Sequence, residues 1–217
     1  MIEGIEIAID REAVTVRGRA PLRAVSSAVV GGGFGAVRSI VNLHVPKNFP
    51  CENPEGELTA FVRRRELPRP CVGLMTSAWT EKAELAVEAA DAITALALVT
   101  VGLGNPVRAG RSPVAAWRAS TINTIIILDA APEPAALVNL VMTATEVKAL
   151  TLAEAGIRSP EGSFASGTST DAVVVAATDR GRRCRFGGPA SEMGWLVARA
   201  VRSALEAGIR RWVEEQA

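Results

Sequence analysis

The sequence contains no tyrosine and a single histidine, His44, among its 217 residues. No phenol is therefore available as an acid or base, and any catalytic triad that needs an imidazole must use His44. Cysteine is also scarce, because Cys51, Cys71 and Cys184 are odd in number and show no C-x-x-C spacing. This pattern argues against a disulfide framework and a zinc site, so we expect free thiols and no metal held by the protein.

Neither sign of charge dominates, since 24 basic and 23 acidic residues leave a formal net charge of +1. The two signs are mostly interspersed, which argues against a basic footprint for nucleic acid or an anionic membrane. The longest apolar run, residues 92–103, is shorter than the roughly 18–20 residues that a membrane-spanning helix needs. Met1 is followed by neither a basic segment nor a long apolar one. We expect a cytoplasmic protein with no nucleic-acid or membrane partner.

The hydrophobic content of 48% is enough for one sizeable core, and no repeat or linker divides the chain, so we predict a single domain over residues 1–217. Alternating apolar residues over 5–9 and 14–16 predict an N-terminal antiparallel β-hairpin. Further strands are predicted over residues 71–78, 92–103, 121–129 and 172–178, and helices over 80–91, over 134–154 and from Pro189 onward. The predicted class is α/β, with a mixed β-sheet core flanked by helices.

Three polar strings interrupt segments of the second half that otherwise read as core. They begin at Thr121 (T-I-N-T), Thr145 (T-E-V-K) and Gly167 (G-T-S-T-D). An unpaired buried polar group costs about 1–3 kcal/mol, so either protein groups or a ligand must satisfy these side chains. On a helical wheel Thr145 and Lys148 fall on the apolar side of the predicted helix, whereas Glu146 falls on the polar side. Lys148 would either reach the surface or stay buried; in the second case desolvation would make it a plausible base, and a carboxylate such as Asp171 would be its natural partner.

Several other polar residues are candidates for ligand binding or catalysis. Asn42 and His44 would share one face of a strand, and the amides of Asn42, Asn105 and Asn123 suit a ligand rich in amide groups. The hydroxyls of Thr168, Ser169 and Thr170 gather at a strand edge, where α/β proteins bind ligands, although turn hydrogen bonds would also explain them. The glycine run at residues 31–35 matches neither standard nucleotide-binding spacing. It remains open as a tight turn, a phosphate loop or a backbone wall for another ligand.

Seven short strings, in this order along the chain, resemble the adenosylcobinamide amidohydrolase family of cobamide salvage. They extend over most of the sequence, from about Val29 to Gly194. They are Gly31-Gly32-Gly33-Phe34-Gly35, Val41-Asn42-Leu43-His44-Val45-Pro46, Gly73-Leu74-Met75-Thr76-Ser77-Ala78, Thr100-Val101-Gly102-Leu103-Gly104-Asn105-Pro106 with Arg108-Ala109-Gly110, Thr121-Ile122-Asn123, Thr145-Glu146-Val147-Lys148, and Gly167-Thr168-Ser169-Thr170-Asp171-Ala172.

The resemblance implies hydrolysis of the amide that joins the aminopropanol arm to the corrin ring of adenosylcobinamide, giving adenosylcobyric acid and 1-aminopropan-2-ol. The partner is then a corrinoid small molecule that brings its own cobalt, and no separate cofactor is expected. The alternative is a corrinoid-binding carrier or sensor without catalysis. The long apolar face of the final helix would pack on the sheet or form a homodimer.

The residue roles are our hypothesis, because the resemblance supplies none. Amide hydrolysis needs an activated nucleophile, donors for the oxyanion and a proton for the leaving amine. We assign the activation of water to Glu146 or Asp171, and the charge or proton to Lys148 or His44. The residues expected to bind the ring amides, the substrate and the oxyanion are Asn42, Asn105, Arg108, Asn123, Thr168, Ser169 and Thr170. A covalent route through Thr168, Ser169 or Thr170 stays open.

Overall fold

A computed structural model describes residues 1–50, 52–114 and 120–216. Its strands and helices follow the chain as β1 (Ile5–Ile9), β2 (Ala13–Ser26), β3 (Gly33–His44), α1 (Pro54–Arg64), β4 (Cys71–Thr76), β5 (Glu84–Ala90), β6 (Ile93–Val101), β7 (Pro106–Val107), β8 (Ile122–Asp129), β9 (Ala131–Pro132), α2 (Pro134–Glu154), β10 (Gly167–Thr168), β11 (Ala172–Ala177), β12 (Arg183–Cys184) and α3 (Glu192–Glu214).

An eight-stranded mixed sheet forms the centre of the molecule, in the order β4-β3-β2-β11-β8-β6-β5, with β1 paired to β2. The β1–β2 hairpin is antiparallel, whereas β11 pairs parallel with β8 and β3 pairs parallel with β4. The long β2 strand pairs with β1 in its first half and with β11 in its second, and its pairing with β3 on the other edge has a register shift between Arg17 and Leu22. The α/β class, the mixed sheet and the N-terminal hairpin are thus confirmed.

The sheet curls until strands that are distant in the strand order touch. Asn42 on β3 donates from Nδ2 to Oγ1 of Thr100 on β6 at 2.9 Å, although β2, β11 and β8 lie between these strands. Asn123 on β8 likewise donates to the backbone oxygen of Met75 on β4 at 2.9 Å. A flat sheet could not make either contact, because neighbouring strands lie about 4.8 Å apart. The curl therefore gives the sheet a concave and a convex face.

Both faces of the sheet are covered, which explains why the central strands are apolar throughout. The concave face encloses a core from seven strands and the N-terminus, including Val16, Ile40 and Ile125. On the other face, α2 and α3 pack over β6, β8 and β11, while α1 covers β3. The i, i+3, i+4 apolar pattern predicted for the last helix is confirmed in α3.

Helix α2 is long and apolar enough to cross a bilayer when length and composition alone are counted. A helix of a protein core passes the same test, and Leu137, Leu140 and Leu152 of α2 are buried in the cluster that α2 shares with the sheet and α3. The bounds of α2, Pro134–Glu154, agree with the helix predicted over residues 134–154. Lys148 is buried, which decides between the two alternatives left open for it, but Thr145 is exposed and the helical-wheel prediction for that residue is wrong.

The helix predicted over residues 80–91 is wrong. A single turn of 3-10 helix spans Thr80–Lys82, and Glu84–Ala90 is the edge strand β5, antiparallel to β6. Thr80 does not cap a helix, since its hydroxyl donates to the backbone oxygen of Asp10 at 2.7 Å. Alanine and glutamate are good helix formers, but pairing with β6 and the ion pairs from Glu84 and Glu88 to α3 override that local preference.

The glycine run connects β2 to β3 and then becomes part of a strand. Gly33 and Gly35 pair with Ser26 and Ala24 of β2. Gly31 has a φ of +67°, and a Cβ there would lie 2.6 Å from the backbone oxygen of Cys71, so this close approach requires glycine. Farther along, the proline-rich stretch after β3 contains α1, which Asn53 caps through its side chain.

We expect Gly194→Ala to destabilise the protein by about 1–3 kcal/mol, the usual cost of overpacking. Gly194 lies in the first turn of α3, and an added Cβ would collide with the backbone oxygens of Gly187 and Gly188, which cannot rotate away. This cost should exceed the roughly 1 kcal/mol that alanine gains over glycine in a helix. The matched control is Gly188→Ala, where a Cβ meets nothing within 4 Å. Equal urea midpoints for the two variants would contradict the steric argument.

Candidate active site

A cavity of about 260 Å³ lies at one end of the concave face, where β3 and β4 end and β8 and β11 begin. The residues around it combine apolar side chains with hydroxyls and one carboxylate. They are Ser27, Val29, Val45, Leu74, Met75, Thr76, Ser77, Ser120, Thr121, Thr170, Asp171 and Ala172. Apolar walls with a few polar groups are typical of sites for organic ligands.

A buried amide network lies behind this cavity. The Nδ2 atom of Asn123 donates to Oδ1 of Asn42 at 2.8 Å and to the backbone oxygen of Met75, while Asn42 donates to Thr100. Both asparagines are 1% exposed, so protein groups satisfy most of their hydrogen-bonding capacity. The predicted pairing of Asn42 and Asn123 with ring amides stays a prediction, since the amides also hold the curled sheet together.

A buried ion pair forms the second polar cluster. Lys148 Nζ binds Asp171 Oδ2, and the two side chains are 10% and 8% exposed. The same carboxylate accepts from the backbone nitrogens of Ile122 and Thr168, each at 2.9 Å, and from the Thr168 hydroxyl. Four donors match the four lone-pair sites of an ionised carboxylate, so Asp171 could accept a proton only if one donor left. This arrangement favours an anchoring role for Asp171 over general-base chemistry.

The two clusters meet at the start of β8. Thr121 lines the cavity, Ile122 is bound through its backbone to Asp171, and Asn123 belongs to the amide network. The Thr121 hydroxyl also lies 3.4 Å from Oδ1 of Asn123. The first polar string therefore connects the pair Lys148–Asp171, through Ile122, with the amide network of Asn42 and Asn123 that bridges the curled sheet.

The loop before β7 is brought against the third polar string because β7 pairs with β10. Asn105 Nδ2 donates to Ser169 Oγ at 2.6 Å, so these two predicted binding residues are neighbours. Of the three adjacent hydroxyl residues, Thr170 lines the cavity, Ser169 is exposed and Thr168 is buried against Asp171. The open covalent route therefore has Thr170 as its best-placed member.

His44 lies beside the cavity, at the end of β3. Its Nδ1 atom is 3.0 Å from the backbone oxygen of Ala78, and its ring stacks on Trp79 with centroids 4.8 Å apart. Val45 follows His44 in the chain, and Thr76 on β4 is the register partner of His44. Both Val45 and Thr76 line the cavity. The structure thus places His44 next to the polar groups without making it part of the cavity wall.

Two predicted site residues lie apart from these clusters. Glu146 is exposed on α2 and Arg108 is exposed after β7, and neither belongs to the described lining of the cavity. Their assigned roles rest on the sequence alone. Cys71 and Cys184 are free, and burial raises the pKa of both thiols, which makes them weak nucleophiles; Cys51 lies outside the described residues.

Sequence reasoning missed five hydroxyl residues of the cavity, namely Ser27, Thr76, Ser77, Ser120 and Thr121. Thr121 stood in the first polar string, and Thr76 and Ser77 stood in one of the seven family strings, but none of the three received a role. Ser27 and Ser120 gave no signal, because each lies in a connection next to a strand, where serine is common. Their convergence depends on the curl of the sheet, which no local pattern encodes.

Comparison with known proteins identifies the family. The sequence profile described as adenosylcobinamide amidohydrolase matches residues 1–217. The adenosylcobinamide amidohydrolase of Methanosarcina mazei is 30% identical over 191 residues, which cover 83% of this chain and 86% of that protein. The protein of the same name from Halobacterium salinarum is 36% identical over 118 residues, covering 51% of this chain and 48% of that protein.

A solved structure supports the fold. The PH0078 protein from Pyrococcus horikoshii OT3 superimposes with a TM-score of 0.52 over 97% of this chain and 80% of its own, at 14% identity. At that identity the likeness concerns the architecture alone. The profile match and the Methanosarcina relative decide the classification: the chain belongs to the adenosylcobinamide amidohydrolase family and is an amidohydrolase that acts on adenosylcobinamide.

Proposed function

We propose that the protein hydrolyses the amide between the aminopropanol arm and the corrin ring, releasing adenosylcobyric acid and 1-aminopropan-2-ol for cobinamide salvage. The observation that carries this proposal is the cavity of about 260 Å³ with hydroxyls and a carboxylate in its wall. Water is the second reactant and the cobalt arrives with the substrate, so the reaction needs no resident cofactor.

The size of the cavity supports cleavage at one arm. A corrin ring with its amide side chains is far larger than 260 Å³, so the ring stays outside while a single arm enters. The ring carries several primary amides of similar reactivity to the scissile amide. Selectivity therefore comes from positioning, because only the amide inside the cavity meets the reacting groups in a productive geometry.

The wall of the cavity supplies groups for each part of the reaction. The attacking group is a water molecule or one of the lining hydroxyls, with Thr121 and Thr170 beside Asp171. The Ser120 hydroxyl accepts from the backbone nitrogen of Gly104 at 2.7 Å, which fixes its position and leaves its own proton free for the substrate carbonyl. Asp171 and Lys148 hold this wall in place through Ile122 and Thr168.

Incubation of the purified protein with adenosylcobinamide tests the proposal. We expect adenosylcobyric acid and 1-aminopropan-2-ol in the mass spectrum, with cobinamide that lacks the adenosyl group treated in parallel. The protein mass after an acid quench shows whether a hydroxyl carries an acyl group during turnover. Intact adenosylcobinamide retained by the protein would instead indicate the carrier or sensor alternative, and cleavage at any other amide would refute the assigned bond.

A further inference from the structure

A backbone contact fixes the protonation of the single histidine. The oxygen of Ala78, 3.0 Å from His44 Nδ1, can only accept a hydrogen bond, so Nδ1 carries the proton. In the neutral imidazole the other nitrogen, Nε2, then holds a free lone pair. Within the part of the chain that the structure describes, Nε2 makes no hydrogen bond. The Nε2 lone pair of His44 is thus available to bind a metal ion.

The ring is also held against rotation. It stacks on Trp79 at an interplanar angle of 15°, and Trp79 itself is 53% exposed. Histidines that bind metals almost always donate their second ring N–H to a carbonyl or carboxylate, which fixes the tautomer and the orientation of the ring. His44 already has this arrangement although it belongs to no metal-binding cluster among the described residues.

The position of His44 places it close to where the corrin ring must lie. Val45 and Thr76, its neighbours along and across the strands, line the cavity that receives one arm of the substrate. The ring remains outside that cavity, at the strand ends that carry His44 and the exposed Trp79. The cobalt at the ring centre is therefore brought toward this histidine when the arm is inserted.

The chemistry of cobinamide leaves a coordination position free for such a donor. Cobinamide lacks the nucleotide whose base can occupy the lower axial position of a complete cobamide, so water fills that position. Imidazole nitrogen is a good ligand for first-row transition metals. We propose that His44 Nε2 binds the substrate cobalt at this lower axial position, an inference that rests on the proposed function.

The binding step is a simple ligand exchange. The cobalt–oxygen bond to water breaks, the Nε2 lone pair forms a cobalt–nitrogen bond, and the oxidation state of cobalt does not change. His44 then acts as a positioning residue, since it fixes the ring centre relative to the cavity and so decides which arm enters. The proton or charge assigned to it from the sequence is not needed for this role.

Electron paramagnetic resonance of cob(II)inamide bound to the full chain tests the inference. One axial nitrogen splits each cobalt line into a triplet, and the same nitrogen labelled as nitrogen-15 gives a doublet. Because His44 is the single histidine of the sequence, growth on nitrogen-15 histidine labels this residue alone. We expect the triplet with unlabelled protein and the doublet with labelled protein.

His44→Phe is the companion variant, because phenylalanine can keep the aromatic stack on Trp79 while removing the nitrogen. We expect it to bind cob(II)inamide without nitrogen splitting. Three results would overturn the inference, provided that the wild-type protein hydrolyses adenosylcobinamide. They are a wild-type spectrum without nitrogen splitting, a triplet that does not change with nitrogen-15 histidine, and failure of the wild-type protein to bind cob(II)inamide. If the wild-type protein shows the nitrogen splitting but does not hydrolyse adenosylcobinamide, the result counts against the proposed function instead.

Discussion

Replacing Lys148 with methionine is expected to lower the free energy of unfolding by about 3–5 kcal/mol, the usual cost of removing one partner of a buried ion pair. Methionine fills a similar volume but leaves the Asp171 carboxylate, 8% exposed, without its counter-charge. The backbone donors of Ile122 and Thr168 remain, yet they carry no full charge. Urea denaturation followed by circular dichroism measures the difference.

Lys82→Met provides the matched control for this variant. Lys82 pairs with Glu215 at 2.6 Å, but both side chains are about two-fifths exposed, at 39% and 41%. Exposed pairs contribute about 0–1 kcal/mol, so this variant should remain close to wild type. If both variants lost a similar free energy of unfolding, burial would not make the pair Lys148–Asp171 contribute more than an exposed pair.

Asn123→Ala is expected to cost about 2–6 kcal/mol, because it leaves two buried acceptors without a donor at about 1–3 kcal/mol each. These acceptors are Oδ1 of Asn42 and the backbone oxygen of Met75, on the opposite side of the curl. We also expect hydrolysis of adenosylcobinamide to fall, since the wall at Thr121 and Met75 would lose its cross-link. Thermal unfolding and the initial rate of product formation are the two measurements.

Asn139→Ala on α2 is the control, because Asn139 is only partly buried and its side chain makes no hydrogen bond among the described residues. Its effect should stay within about 0.5 kcal/mol. The double variant Asn42→Ala/Asn123→Ala adds a sharper test. The two residues share a hydrogen bond, so their effects should depart from additivity by about 0.5–3 kcal/mol. Strict additivity would argue that the network does not act as a unit.

Local patterns in the sequence predicted most of the elements but misassigned β5. The periodicity of α2 and α3 and the alternation of β1 and β2 reflect a buried face, which the sequence records directly. Residues 84–90 are a different case, because their alanines and glutamates are good helix formers and tertiary contacts override that local preference. Glu84 and Glu88 face arginines of α3, and that tertiary arrangement makes the segment a strand.

The candidate site was predictable where a single residue broke a periodic pattern. Lys148 stood out on an apolar helix face, and the structure buries it against Asp171, the carboxylate named as its partner in case of burial. The cavity itself was not predictable, since Ser27, Ser77, Ser120 and Thr121 converge only because the sheet curls. That curl brings together strands that are distant in the strand order, and single-sequence periodicity contains no record of strand order.

The curl of the sheet also bears on how the protein folds. The hydrogen bond between Asn42 and Asn123 joins residues 81 positions apart, and that between Asn42 and Thr100 spans 58. Contacts across such long loops are slow to form, because chain entropy is lost before the contact returns any energy. The helices and hairpins can therefore exist before the cavity does. The cavity that we propose takes in one arm of the corrinoid therefore forms only after β3 and β4 have met β6 and β8.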